Sequence, residues 1–129
     1  MASVPDNLFY TPEHEWVRVD GNTVTIGITD FAQGELGDVV YVELPEVGSV
    51  YDQMEPFGTV ESVKSVSDLF APLSGEVVAV NEDLESAPET VNDDPFEAGW
   101  LIQMEMTDPA QLERLLDATD YAALIADQS

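Results

Sequence analysis

Few side chains in this sequence are equipped for covalent or acid–base chemistry. Lys64 is the only lysine, set in Val60-Glu61-Ser62-Val63-Lys64-Ser65-Val66-Ser67-Asp68-Leu69. A lysine that attacks carbonyls must give up its proton readily, which takes desolvation or a neighbouring cation. Glu61 and Asp68 do the opposite, because nearby negative charge favours the ammonium form. Lys64 therefore suits an amine that another enzyme acylates better than an amine that acts as a nucleophile. On composition alone a second reading stands beside it, that of an exposed lysine without a task.

The other candidates are weaker. His14 is the only histidine; no serine or cysteine partner accompanies it, and one imidazole offers a metal no cluster, so it reads as a satisfied polar residue at a strand start. Asn92-Asp93-Asp94 and Glu82-Asp83 lack the glycine and spaced acids of a calcium loop and read as solvated acids. Gly34 and Gly37 flank Glu35-Leu36 without a phosphate-cradling pattern. With no cysteine there is no disulfide, zinc–thiolate site or thiol nucleophile. No metal site and no catalytic residue are expected, and the chain reads as a non-enzyme.

The elements that must position Lys64 are mostly strands. Trp16 to Val19 and Thr23 to Ile28 flank the turn Asp20-Gly21-Asn22, and Val24, Ile26 and Ile28 share a face at period two. Thr29 to Gln33 suits a single helical turn before Gly34, with Thr29 or Asp30 as cap. Val39 to Leu44, ending at Pro45, is a β-branched and aromatic run. Phe57 to Val63 leads up to Lys64; Ser65, Ser67 and Asp68 are turn formers, so Lys64 is expected near a hairpin tip. Glu76 to Val80 follows the turn Pro72-Leu73-Ser74-Gly75. From Trp100 to Met106, one face carries Trp100, Ile102, Met104 and Met106, the other Leu101, Gln103 and Glu105.

About seven short strands of this kind point to a β-rich barrel or sandwich. Gly37-Asp38-Val39-Val40-Tyr41-Val42 is echoed 38 residues later by Gly75-Glu76-Val77-Val78-Ala79-Val80, which suggests two similar halves. A tail of different character begins at Thr107-Asp108-Pro109-Ala110, a helix start with Leu112, Leu115 and Leu116 on one stripe, followed by a second helix over Tyr121 to Ala126. These helices are expected to cover an open end or face of the sheet. At 129 residues one domain is expected, with 1–106 mainly β and 107–129 helical.

Charge limits the partners. The chain has 27 acidic residues against three basic ones, a formal charge of −24. In dilute buffer such a surface repels itself; at about 1 M salt the Debye length falls to about 3 Å and the repulsion is screened. Because the acids are scattered and not gathered in one block, they read as adaptation to a salt-rich, halophilic cytoplasm. Nucleic acid is disfavoured, since phosphate neutralisation needs clustered Lys and Arg. No signal peptide or membrane-length apolar run is present, so a cytoplasmic location and no membrane partner are expected.

Taken together, Tyr10-Thr11-Pro12-Glu13-His14-Glu15-Trp16-Val17, Ile26-Gly27-Ile28-Thr29-Asp30-Phe31-Ala32-Gln33, Leu36 to Val40, Val42 to Pro45, Gly58 to Lys64, Pro72 to Val77, Asn81, Asn92 to Phe96 and Gly99-Trp100-Leu101 resemble the H-protein family of the glycine cleavage system, the lipoyl carriers. The resemblance implies a flattened barrel-sandwich hybrid of two antiparallel sheets, like lipoyl and biotinyl domains, with short C-terminal helices. It makes Lys64 the lipoyl attachment point (N6-lipoyllysine). Ser65 stands where the family usually has alanine, and Val63 and Ser65 replace the methionines that flank a biotinylated lysine.

The task implied is to carry the aminomethyl group of glycine from a pyridoxal-phosphate glycine decarboxylase to a tetrahydrofolate-dependent aminomethyltransferase, with reoxidation by dihydrolipoamide dehydrogenase. A lipoate-attaching enzyme is a further implied partner, and a monomer is expected. The cargo's amine is cationic near neutral pH, so a carboxylate beside the tip would hold it; Glu15 and Asp68, with Glu13 behind them, are the candidates, against the plainer reading that all three belong to the acidic surface. Two other functions compete: a lipoyl carrier or donor in lipoate relay or sulfur metabolism, and an unmodified acidic domain acting only through protein contacts.

Overall fold

Residues 3–128 are described by the computed structural model of the chain. Nine strands form in order: β1 (Phe9–Tyr10), β2 (Glu15–Asp20), β3 (Thr23–Ile28), β4 (Val39–Glu43), β5 (Val50–Tyr51), β6 (Pro56–Ser62), β7 (Val66–Phe70), β8 (Gly75–Val80) and β9 (Ile102–Met106). Three α-helices accompany them, α1 (Asp30–Leu36), α2 (Thr90–Asp93) and α3 (Ala118–Gln128). The strands lie in two antiparallel sheets, β1-β2-β3-β9-β8-β5 and β4-β6-β7. The fold is thus the two-sheet arrangement expected; the very short β1 and β5, and the edge strand β7, are additional to the six strand runs named from the sequence.

The main core fills the space between the sheets. Val24, Ile26 and Ile28 of β3 enter it from one side, and Val39, Val42, Val60 and Leu69 of the smaller sheet from the other. A second, aromatic core lies on the outer side of β1 and β2, where Leu8, Tyr10 and Trp16 meet Tyr121 and Ile125 of α3. Neighbouring Trp16 and Val17 point into different cores and are both fully buried. β2 is therefore covered on both faces at its start, where Glu15, Trp16 and Val17 are buried, and it opens to solvent toward Val19 and Asp20. Trp16 faces Gly27 across the ladder, and a Cβ at Gly27 would come within 2.6 Å of the indole.

The echo between the halves has a structural counterpart. β4 slips register against β6 between Val39 and Tyr41, and β8 slips against β9 between Val77 and Ala79, the same two positions of the repeated motif. An extra residue in one strand increases local twist and bends it. The two sheets are thus curved at equivalent points of the Gly-acid-Val-Val motif.

Several local expectations are corrected. Gly34 does not end α1: Thr29 caps it, accepting from the Ala32 N–H at 3.2 Å, and the helix runs to Gly37, whose φ of 79° suits glycine. Ser67 and Asp68 are not in the turn but in strand β7, paired with Val60 and Thr59. Leu101 is fully buried in the main core and Trp100 belongs to the aromatic cluster, so β9 begins only at Ile102 and the facing drawn from Trp100 onward holds from there. Pro109–Arg114 is a 3-10 helix without a capping side chain, and its leucines form no single stripe: Leu112 and Leu115 reach the main core, Leu116 the aromatic one. The last helix starts earlier than Tyr121 because Asp117 Oδ1 accepts the Asp120 N–H at 2.8 Å.

Candidate functional site

Lys64 stands at the tip of the β6–β7 hairpin. The ladder ends at Glu61 opposite Val66, after which Ser62 and Ser65 close a loop around Val63-Lys64. The Ser62 N–H donates to Ser65 O at 2.8 Å, and the buried Ser62 Oγ accepts the Ser65 N–H at 3.2 Å. A third bond, from Val63 N–H to Asp38 O at 3.0 Å, ties the tip to the turn between α1 and β4. That turn is itself fastened by Asn92 of α2, whose Oδ1 accepts from Val39 N–H at 2.8 Å and whose Nδ2 donates to Gly37 O at 2.9 Å and Gln33 Oε1 at 3.0 Å. Asn92, read from sequence as part of a solvated cluster, is in fact the brace beneath the hairpin.

The amine itself is unencumbered. Lys64 is exposed, and its Cε passes 3.5 Å from where a Cβ on Gly37 would sit. The one ion pair among the described residues joins Arg18 to Glu97 at 3.3 Å; Lys64 is in none. A rigid base under a free ammonium is the geometry an attached arm requires, because the base fixes the pivot and leaves the tether to move.

Beside the tip a cleft of about 490 Å³ opens between β7, α1 and the loop that precedes β2. Glu13, Glu15 and Asp68, the three acids singled out from sequence, all line it, together with Glu35. Ser65 and Ser67 face it from the hairpin, and Leu36, Val60 and Leu69 supply apolar wall. A second groove of about 610 Å³ around Tyr41 and Val47 is larger, but it lies away from the hairpin's serines and contains no lysine or histidine.

The acids are not equivalent. Glu13 and Asp68 are exposed, whereas Glu15 is buried with 1% of its surface accessible. Glu15 Oε1 accepts from Thr11 Oγ1–H at 2.6 Å, and Oε2 accepts the Phe70 N–H of edge strand β7 at 3.3 Å. Thr11 Oγ1 already accepts the N–H groups of Glu13 and Glu15, each at 3.2 Å, so its own hydrogen must go to the carboxyl. Desolvation dominates these bonds and raises the Glu15 pKa to about 8, so near neutral pH the neutral acid is favoured.

His14 was expected to be a satisfied polar residue, and it has partners: Nδ1 lies 2.9 Å from Tyr121 Oη, and the ring packs against Phe31 at 5.0 Å. Sequence reasoning missed that it also lines the cleft, with φ at 74° in the left-handed region. Glu35 and Gln128 were missed as well. No periodicity could have found them, because they come from separate segments that meet only in the fold.

The family model described as "Glycine cleavage H-protein" matches residues 8–128. The chain belongs to the glycine cleavage H-protein family. It is 59% identical over 122 residues to the glycine cleavage system H protein of Bacillus cereus (strain B4264), covering 95% of this chain and 96% of the relative. Identity to the H protein of Bacillus mycoides (strain KBAB4) is also 59% over 122 residues, with the same coverage. The crystal structure of a glycine cleavage system H protein from Mycobacterium marinum superposes with a TM-score of 0.88 at 41% identity, over 95% of this chain and 99% of that one.

Membership of this family makes the chain a lipoyl-carrying shuttle of the glycine cleavage system and not a catalyst, and it favours this reading over a role in another lipoyl pathway. Among the described residues no helix is long and apolar enough to cross a membrane.

Proposed function

We propose that Lys64 carries the lipoyl group in amide linkage and that the chain acts as a single lipoyl-binding unit. In this reading it moves between the glycine decarboxylase, the aminomethyltransferase and dihydrolipoamide dehydrogenase after a lipoate-attaching enzyme has modified it. The attached group supplies a dithiolane that accepts the one-carbon cargo and is later reoxidised. The observation that carries the proposal is the pairing of a free ammonium on a braced hairpin tip with an acidic, apolar-walled cleft beside it.

The chain's own residues have distinct tasks in this reading. Ser62, Ser65 and Asp38 hold the pivot. Glu13 and Asp68 offer exposed carboxyl groups at the cleft, and Glu15 offers a buried one. A cationic amine arriving beside Glu15 favours its ionised form, since an opposite charge offsets desolvation. Held there, the cargo's amine is shielded from water. The absence of cysteine leaves the reduced dithiol no thiol on its own carrier with which to form a disulfide.

In the same reading the scattered acids belong to a salt-adapted surface, and the chain works as a cytoplasmic monomer. The test of the central claim is intact-mass measurement on native protein. A lipoyl adduct is expected on the wild type and is lost in Lys64→Arg, together with glycine–bicarbonate carbon exchange in a reconstituted system. An adduct that persists in Lys64→Arg, or exchange without any adduct, overturns the assignment.

A further inference from the structure

Three elements converge on His14: the loop before β2 that holds it, α1 through Phe31, and α3 through Tyr121 and Gln128. Tyr121 Oη lies 2.6 Å from Thr29 Oγ1 and 2.9 Å from His14 Nδ1. Burial lowers the His14 pKa, so near neutral pH the ring is neutral. The Gln128 side chain, from the last turn of α3, lies beside the same ring. The Thr29–Tyr121–His14 hydrogen bonds thus tie the capping residue of α1 to α3, and His14 and Gln128 both face the cleft.

The last turn of α3 is exposed. Its last buried side chain is Ile125, and Ala126, Asp127 and Gln128 are exposed. Its last turn contains no basic residue, while Asp127 places a negative charge where the helix dipole is already negative. Such a terminus opens locally at little cost. His14, by contrast, is fixed: its N–H donates to Thr11 O at 3.1 Å and its carbonyl accepts from Thr29 N–H at 3.0 Å. A non-glycine residue held at positive φ stays there only where its surroundings over-determine it, and such strain gathers at functional sites.

We propose that His14 is a positioning residue that holds the end of α3 as a movable wall of the cleft, with Gln128 closing over the seated, loaded arm. This rests on the reading of Lys64 and the cleft given above. The wall explains how a cleft open to solvent beside an exposed hairpin can retain its cargo between enzymes and still release it. A partner that loosens the last turn of α3 opens the cleft without disturbing the aromatic core formed by Tyr10, Trp16 and Tyr121.

Because coupling between two events is reciprocal, a wall that holds the arm is itself held by the arm. In lipoylated protein loaded with glycine and the decarboxylase, then separated from the enzyme, amide hydrogen exchange over residues 124–128 should be slower than in the unloaded form. Gln128→Ala trims one exposed side chain at a helix end and leaves the fold intact; it should abolish that difference and shorten the loaded lifetime, followed by intact mass, roughly threefold to tenfold. His14→Asn keeps a residue that tolerates the left-handed backbone but lacks the ring, and should shorten it at least as much.

Glu15→Gln measured alongside separates the two levels. If it shortens the lifetime while Gln128→Ala and His14→Asn do not, the cleft stands and the wall is refuted. Should none of the three variants shorten it, the cleft reading and the wall fall together.

Discussion

Glu13 and Glu15 are separated by a single residue, line the same cleft and are chemically almost identical, yet the passage from the β1–β2 loop into β2 gives them opposite environments. Glu13 is exposed; Glu15 is buried, with both oxygens occupied by donors from Thr11 and Phe70. The same contrast separates the hairpin tip, where Val63 and Val66 are about two-thirds exposed, from the cleft wall, where Leu69 has 2% of its surface accessible. A carrier needs both kinds of region. The rim and tip must present chemistry to other proteins and tolerate change, whereas the floor must hold a shape and a low dielectric that make one carboxyl group different from 26 others.

The sharpest way to break this contrast is through the apolar wall. Leu69→Ala removes three buried carbons beside the cleft and is expected to cost about 2–5 kcal/mol of stability by the usual sum of transfer and cavity effects. Val66→Ala, at the tip of the same strand, should stay within about 0.5 kcal/mol of wild type. Urea unfolding of the two variants measures both; equal losses would mean that the tip is packed in solution and the division between tip and wall is false.

The next effect is electrostatic. Glu15 has a folded pKa of about 8 against an unfolded value of 4.5. The folded state therefore binds more protons between these values, and the stability this group contributes is full below about pH 4.5 and is lost as pH rises through about 8. Glu15→Gln cannot ionise and should flatten that part of the profile. Relative to wild type the variant should gain about 1–3 kcal/mol on going from about pH 5 to about pH 9, read from urea midpoints at the two pH values. A difference that does not change with pH would show that the carboxyl is ionised throughout and that the floor is wetter than its burial implies.

These contrasts also explain what was legible beforehand. Strands such as β3 announce themselves because apolar residues recur at period two on a sheet with one face in the core, and β4 because its run is β-branched and aromatic. β7 did not, because it is the edge strand of the smaller sheet: Ser67 and Asp68 are acceptable there, and a charge on an edge strand discourages pairing with another chain, yet both residues look like turn formers in isolation. Lys64 stood out by composition and by the motif around it.

The cleft did not stand out. Its walls come from residues 13–15, 28–36, 60–70 and 128, and local pattern carries no information about segments that meet only after the sheets fold. The difference between buried Glu15 and exposed Glu13 and Asp68 was equally hidden. Burial of Glu15 depends on Thr11 and on the backbone of Phe70, 55 residues away.

The smallest effect tests the other side of the comparison. Glu13→Gln changes the same functional group as Glu15→Gln, but at an exposed site, where substitutions away from special features change stability by less than about 0.5 kcal/mol. What remains is long-range: removing one negative charge from a chain of −24 relieves a little self-repulsion, so the variant should be marginally more stable at low salt. That gain should vanish as ionic strength rises from about 0.1 M to about 1 M and the Debye length falls from about 10 Å to about 3 Å. Its pH profile should run parallel to that of wild type across the range in which Glu15→Gln departs. If Glu13→Gln instead reproduces the pH dependence of Glu15→Gln, the two acids titrate as one unit, and the cleft has a single shared acidic site where the structure distinguishes a rim from a floor.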